Sequence, residues 1–226
     1  VGEKVTKIVH NLEQIQEKID LAQKRANVSQ QVNIVAVTKE VDVARTQEAI
    51  EAGLVHLGEN RPEGLHTKLE HIKADAQWHY IGSLQTRKVK QVINHIDYLH
   101  SLDRISLADE IEKRAEKKVK CFVQANVSGE ESKHGLSKDE VISFVKQLTT
   151  YTKIEVIGLM TMAPNTEDKT VIRNVFRELK KLQQEIVSLQ LANIPCTELS
   201  MGMSNDYEIA VEEGATFVRI GTALVG

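Results

Sequence analysis

Cysteine is scarce in this chain. The two that occur, Cys121 and Cys196, lie far apart, each in an apolar segment. They read as buried thiols rather than a disulfide framework. A reducing, cytoplasmic setting is the corresponding expectation. Long apolar runs are also missing, and none approaches the roughly 18 residues a membrane span needs. There is no basic excess: 29 Lys and Arg stand against 32 Asp and Glu, for a net charge of −3. Nucleic acid is therefore not an expected partner. The opening stretch VGEKVTKIVHNLEQIQEKID is a charged amphipathic helix pattern, not a signal peptide. No GxGxxG follows the first apolar strand, which argues against a dinucleotide-binding sheet. No HExxH occurs. The pairs His66/His71 and His95/His100 are spaced by five, not by the four that puts two ligands on one helix face, so no metal is expected.

What is present is ordinary globular material: 226 residues, 41% hydrophobic and 27% charged, enough for one sizeable core. Short apolar runs alternate with helical patterns along the whole chain. The strands are expected at 32–38, 54–60, 77–82, 98–103, 120–127, 154–162, 197–202 and 216–221. Helices are expected between them, including one through LQTRKVKQVINH, and an additional helix at 2–26 precedes the first strand. Gly53 suits the end of the helix VARTQEAIEAG, and Pro62 suits a helix start. Near-continuous apolar strands joined by helices imply a buried parallel sheet. Eight such units in this length favour a single (β/α)₈ TIM barrel over residues 1–226, with an extra N-terminal helix, ahead of an open doubly wound sheet. The long helix near 169–192 carries Val171, Val175, Leu179, Leu182, Ile186 and Leu189 as one stripe, expected to face the barrel.

Chemistry in such a barrel collects at the carboxyl ends of the strands. The polar residues there are Lys39, Glu59, Asn60, His79, Ser101, Asp103, Asn126, Thr161, Ser200 to Ser204, and Arg219 to Thr222. Lys39 ends the run IVAVTK and follows Val35 and Val37 in the two-residue period. A partly dehydrated ammonium there would be a nucleophile toward aldehydes; plain exposure beyond the strand end is the simpler alternative. The tail offers SMGMS and RIGT, two glycine-containing turns with hydroxyls. Ser204 is expected to cap the helix that follows it. Turns of this kind bind phosphate, though a capped helix and a tight turn would look the same. A lysine, a phosphate cradle and an arginine between them suggest pyridoxal 5′-phosphate (PLP). Arg219 would face the pyridine nitrogen and weaken the ring as an electron sink; an ion pair with Glu59 or Glu198 is the alternative. TRKVK (86 to 90) reads as a solvated helix face. In ESKHG (131 to 135), Lys133 suits either a ligand or partner contact or simple solvation.

The segments VAVTK, HLGENR, WHYIGSLQTRK, NVSGEESKHG, GLMTMAP, LSMGMSNDYEIAVEEG and VRIGTALVG, in this order, resemble the pyridoxal phosphate homeostasis protein family. That family is a single-domain relative of the alanine racemase barrel, of PLP fold type III. Tyr80 stands where phenylalanine or methionine is more usual. The resemblance implies that Lys39 forms the Schiff base with PLP and that Arg219 faces the pyridine nitrogen. It implies that Ser204, Gly221 and Thr222 hold the phosphate, and that Asn60, His79 and Met201 line the ring. It further implies a cytoplasmic PLP-binding protein of intracellular PLP homeostasis, without established catalysis, that buffers the cofactor or delivers it in transient contact with apo PLP-dependent enzymes. A monomer is expected. The alternative is a PLP-dependent amino-acid racemase. Racemisation needs a base on each face of the intermediate. In the racemases the second base comes from a further domain across a dimer, for which this chain has no residues left.

Overall fold

The structure is a computed structural model that describes residues 2–131 and 134–226. Eight strands close a parallel barrel in sequence order: β1 (Asn33–Val37), β2 (His56–Glu59), β3 (Gln77–Tyr80), β4 (Tyr98–Leu102), β5 (Val119–Gln124), β6 (Ile154–Met160), β7 (Glu198–Ser200) and β8 (Phe217–Ile220). Each is shorter than the apolar run that announces it, because ladder pairing stops where the chain turns toward a helix. β8 closes on β1 through Asn33 to Ala36 against Phe217 to Ile220. The helices are α1 (Gly2–Ala26), α2 (Val43–Glu51), α3 (Pro62–His71), α4 (Val89–Val92), α5 (Ile105–Arg114), α6 (Lys138–Gln147), α7 (Lys169–Ser188), α8 (Tyr207–Glu212) and α9 (Thr222–Val225).

Two apolar layers result. Most buried side chains lie between strands and helices. Inside the barrel, Val35, Tyr98, Phe122, Ile157, Met160 and Phe217 form a separate cluster. This division follows from the two-residue alternation of side chains along each strand. The extra helix α1 buries Ile8, Ile15, Ile19 and Ala22, a single stripe at helical spacing. It packs across α8, α2 and α9.

The helix ends obey local chemistry. Gly53 has φ +101°, a left-handed backbone that glycine adopts without strain. Its N–H donates to Ile50 O and that of Leu54 to Ala49 O, which closes α2 as a Schellman motif. Pro62 opens α3 as expected. Asp168 caps α7, accepting from the N–H groups of Thr170 and Val171. Asp168→Ala is expected to cost about 1 kcal/mol, read as a lowered urea midpoint at unchanged slope.

Two expectations need correction. The helix through LQTRKVKQVINH shrinks to a 3₁₀ turn at Thr86–Lys88 and the one-turn α4. Val89, Val92, Ile93 and Ile96 are all fully buried, so the chain must fold back at once into β4. Its β-branched residues also disfavour a longer helix. On α7, Val171 and Leu189 are each 40% exposed, and the buried stripe instead includes Ile172 and Phe176. No helix among the described residues is long and apolar enough to cross a membrane.

Candidate functional site

A cavity of about 500 Å³ opens at the carboxyl ends of the strands, within the size range of small-molecule sites. Lys39, Asn60, Ser204, Arg219, Gly221 and Thr222 all line it. Six of the eight residues singled out from the sequence therefore meet in one place, drawn from the ends of β1, β2, β7 and β8.

Lys39 sits on a tight turn. Thr38, just before it, is fully buried. The Thr38 amide donates to Gly58 O, and its carbonyl accepts from Val41 N at 3.2 Å and from Lys68 Nζ at 2.8 Å. Asp42 then caps α2 by accepting from Arg45 N. The turn is thus pinned on both sides, and it lifts Lys39 past the rim. Its side chain is exposed, so the expected partial dehydration of this ammonium is not found. The dry lysine is Lys68, which reaches from α3 to Glu59 at 2.7 Å with both side chains nearly fully buried. Burial raises the Glu59 carboxyl above its ordinary range, and the Lys68 hydrogen bond only partly opposes it.

The opposite wall holds Arg219, 5% exposed. Its Nη1 donates to Ser200 Oγ at 2.5 Å and its Nη2 to Thr161 O at 3.2 Å. It forms no ion pair among the described residues; Glu59 is committed to Lys68. Burial pulls Arg219 down to about 10, with Asp206 opposing. The guanidinium is therefore still charged at neutral pH, and partly unspent, since it carries five donors. Between these walls, Ser204 Oγ accepts from Ala223 N at 3.3 Å. Ser204 thus ties the loop after β7 to α9 and does not cap α8, whose cap position is Asp206. Asp206 instead accepts from Met203 N at 2.7 Å. Gly221 occupies the cap position of α9 and Thr222 is its first residue. Hydroxyls and an early-helix amide converge on this corner. Asn60 is held by Gly82: a Cβ there would lie 2.8 Å from both Cβ and O of Asn60, so only glycine lets the two loops pass.

His79 and Met201 do not line the cavity. His79 is fully buried lower in the barrel. Met201 is fully buried in the outer apolar layer. Alternation explains the latter: Ser200 points inward to Arg219 and His100, so its neighbour points out. Met203 and Met162, 45% and 44% exposed, line the cavity instead. The methionines of GLMTMAP and SMGMS carried that signal. Lys133 lies outside the described residues. No cluster of three or more His, Cys, Asp or Glu among the described residues suits a metal.

A closed parallel barrel with an amine on one rim, and hydroxyls, a glycine turn and a buried arginine on the other, is built to hold a small anionic ligand at its mouth. Residues 10–226 match the family model for the alanine racemase N-terminal domain. The pyridoxal phosphate homeostasis protein of Aquifex aeolicus is 39% identical over 219 residues, 95% of this chain and 94% of that protein. That of Haemophilus influenzae is 34% identical over 226 residues, 97% and 95%. The structure of PipY from Synechococcus elongatus with PLP bound superposes with a TM-score of 0.85 at 29% identity, covering 97% of this chain and all of that one. The chain belongs to the alanine racemase N-terminal domain family and, within it, to the pyridoxal phosphate homeostasis proteins.

Proposed function

We propose that this chain binds PLP in the cavity at the barrel mouth and serves intracellular PLP homeostasis, holding the cofactor for buffering or delivery to apo PLP-dependent enzymes. The carrying observation is that Lys39, Ser204, Arg219, Gly221 and Thr222 line one cavity. The donor set fits a phosphorylated pyridine aldehyde: an amine for the aldehyde, hydroxyls for the phosphate, and an unspent guanidinium edge for the ring nitrogen. Bound PLP supplies an electrophilic aldehyde and an electron-withdrawing ring. Lys39 would present the amine toward that aldehyde. Ser204 and Thr222 orient the ligand through its phosphate. Arg219 would hold the ring nitrogen and, being cationic, would disfavour its protonation. Asn60 borders the ring position.

The exposed Lys39 and the half-exposed methionines at the mouth favour exchange over water-excluded catalysis. The protein acts as a monomer in the cytoplasm, where Cys121 and Cys196 remain the free, buried thiols they are here. Titrating the purified protein with PLP is expected to give a saturable visible absorbance. The loaded protein is expected to activate an apo PLP enzyme faster than the same quantity of free PLP, and not to turn over L-alanine to D-alanine. Steady multiple-turnover racemisation that Lys39→Ala removes would favour an enzyme instead.

A further inference from the structure

We infer that Ser200, His100, His79 and His56 form a one-way chain of hydrogen bonds through the barrel interior that fixes Arg219 from behind, each imidazole carrying its proton on Nε2. The distances are continuous. Arg219 Nη1 reaches Ser200 Oγ at 2.5 Å, and Ser200 Oγ lies 2.8 Å from His100 Nδ1. His100 Nε2 lies 2.8 Å from His79 Nδ1, and His79 Nε2 lies 2.9 Å from His56 Nδ1. The chain starts at the ligand cavity and ends at the first residue of β2, a half-buried position toward the opposite end of the barrel.

Its direction follows from counting protons. A guanidinium only donates, so Ser200 Oγ accepts from Arg219. The Ser200 hydroxyl hydrogen then has one acceptor among the described residues, His100 Nδ1. His100 must therefore carry its proton on Nε2 and donate to His79 Nδ1. The same step repeats from His79 to His56. Reversing the chain would point the hydroxyl hydrogen at a cation and leave it without an acceptor. Packing holds the rings in place: His79 stacks on Tyr98 at 4.1 Å and His100 on Phe122 at 4.4 Å, and His56 meets Tyr98 and Phe217 edge-on.

A proton added to an acceptor nitrogen of the chain breaks the bond that nitrogen accepts or reverses the chain back to Ser200, and on His100 Nδ1 it turns the Ser200 hydroxyl toward Arg219. The surrounding charges agree. Burial, then neighbouring histidines and Lys120, hold His79 well below the ordinary histidine range. Burial, then Arg219 and His56, do the same to His100. His56 is lowered by burial and Lys120, with Asp97 opposing. These imidazoles act as positioning residues, and acid uncouples Arg219 only below the usual histidine range.

The test is two-bond ¹H–¹⁵N correlation of histidine-labelled protein without ligand. The expected spectrum shows His56, His79 and His100 as single neutral Nε2–H tautomers at pH 7, with His79 and His100 still neutral where an ordinary histidine is already protonated. Arg219→Gln gives Ser200 a second acceptor, so mixed tautomers and protonation at higher pH are expected. An Nδ1–H tautomer, or a charged His79 at neutral pH, in the wild-type protein overturns the inference even if the variant does not fold. A second arm rests on the PLP reading. His100→Phe keeps the stacking on Phe122 but ends the chain, and is expected to weaken PLP binding about tenfold, the size of one lost bond in a charged network. His100→Gln, whose amide can accept from Ser200 and donate to His79, is expected to restore it. Equal loss in both variants overturns the positioning role, whereas absence of PLP binding in the wild type sinks only the cofactor reading and leaves the tautomer result standing.

Discussion

Lys39→Ala is expected to abolish covalent fixation of PLP by borohydride and to remove the visible absorbance of the loaded protein. The substitution deletes the amine on the β1 rim and nothing else in the cavity wall. The turn that carries it stays pinned through Thr38 and Asp42, so the fold and the phosphate corner are expected to persist. What remains is a non-covalent ligand held by Ser204, Thr222 and Arg219. An affinity loss of at least about a hundredfold is expected, which corresponds to about 2.8 kcal/mol. The nearby Lys68 cannot substitute. It is nearly fully buried and its ammonium is engaged by both Glu59 and Thr38 O. Peptide mapping after reduction decides the matter: label on Lys39 in the wild type and none in the variant supports the assignment. Label retained on Lys68, or on Lys133 of the ESKHG segment, refutes it.

Much of this site was legible from residue order alone, for a physical reason. In a parallel barrel the strand ends converge, so a polar residue after an apolar run is carried to the mouth whatever lies between. Lys39, Asn60, Arg219 and the two glycine turns were found that way. Facing was harder to read. The resemblance implies that Met201 lines the ring, yet alternation from the inward Ser200 turns it outward. Ser204 was read as the cap of the nearest helix, whereas its hydroxyl serves α9, which the sequence pattern did not announce. A four-residue helix has no periodicity to detect. The pattern announces the long helix α7 but misphases its stripe at the start, where Ile172 and Phe176 are buried in place of Val171, and carries it too far at the end, where Leu189 is exposed. Least legible were the groups that meet only through closure of the barrel. His56, His79 and His100 lie on three successive strands. The spacing of 23 and then 21 residues between bonded partners reflects one βα unit and carries no local signature. Exposure, too, is a tertiary property: Lys39 ends an apolar run and Lys68 lies in the charged stretch HTKLEH, yet the fold makes the first wet and the second dry.

That buried lysine supports the other large effect. Lys68→Met is expected to cost about 3–5 kcal/mol at neutral pH, the usual penalty for stranding one member of a buried ion pair. Methionine fills a similar volume, so the loss reports the charge and the two hydrogen bonds rather than a cavity. Glu59 is left without its partner, and Thr38 O loses its side-chain donor directly beneath Lys39. The pH dependence has a definite sign. Burial already raises Glu59 above the ordinary value of 4.5, so the folded state takes up this proton more readily than the unfolded chain. A raised carboxyl makes stability fall as pH climbs from 4.5 through the folded value. Without Lys68 the hydrogen bond and charge that opposed the rise are gone, and the window widens upward. The deficit of Lys68→Met should therefore be largest at pH 7 and shrink toward pH 4.5, where Glu59 is increasingly protonated in the folded protein. Urea unfolding at both pH values measures it. Adding Glu59→Gln should recover most of the loss at pH 7, because the stranded charge is then absent. Equal deficits at the two pH values, or no recovery in the double variant, would mean that Lys68 stabilises the fold through its aliphatic stem and not through the buried pair.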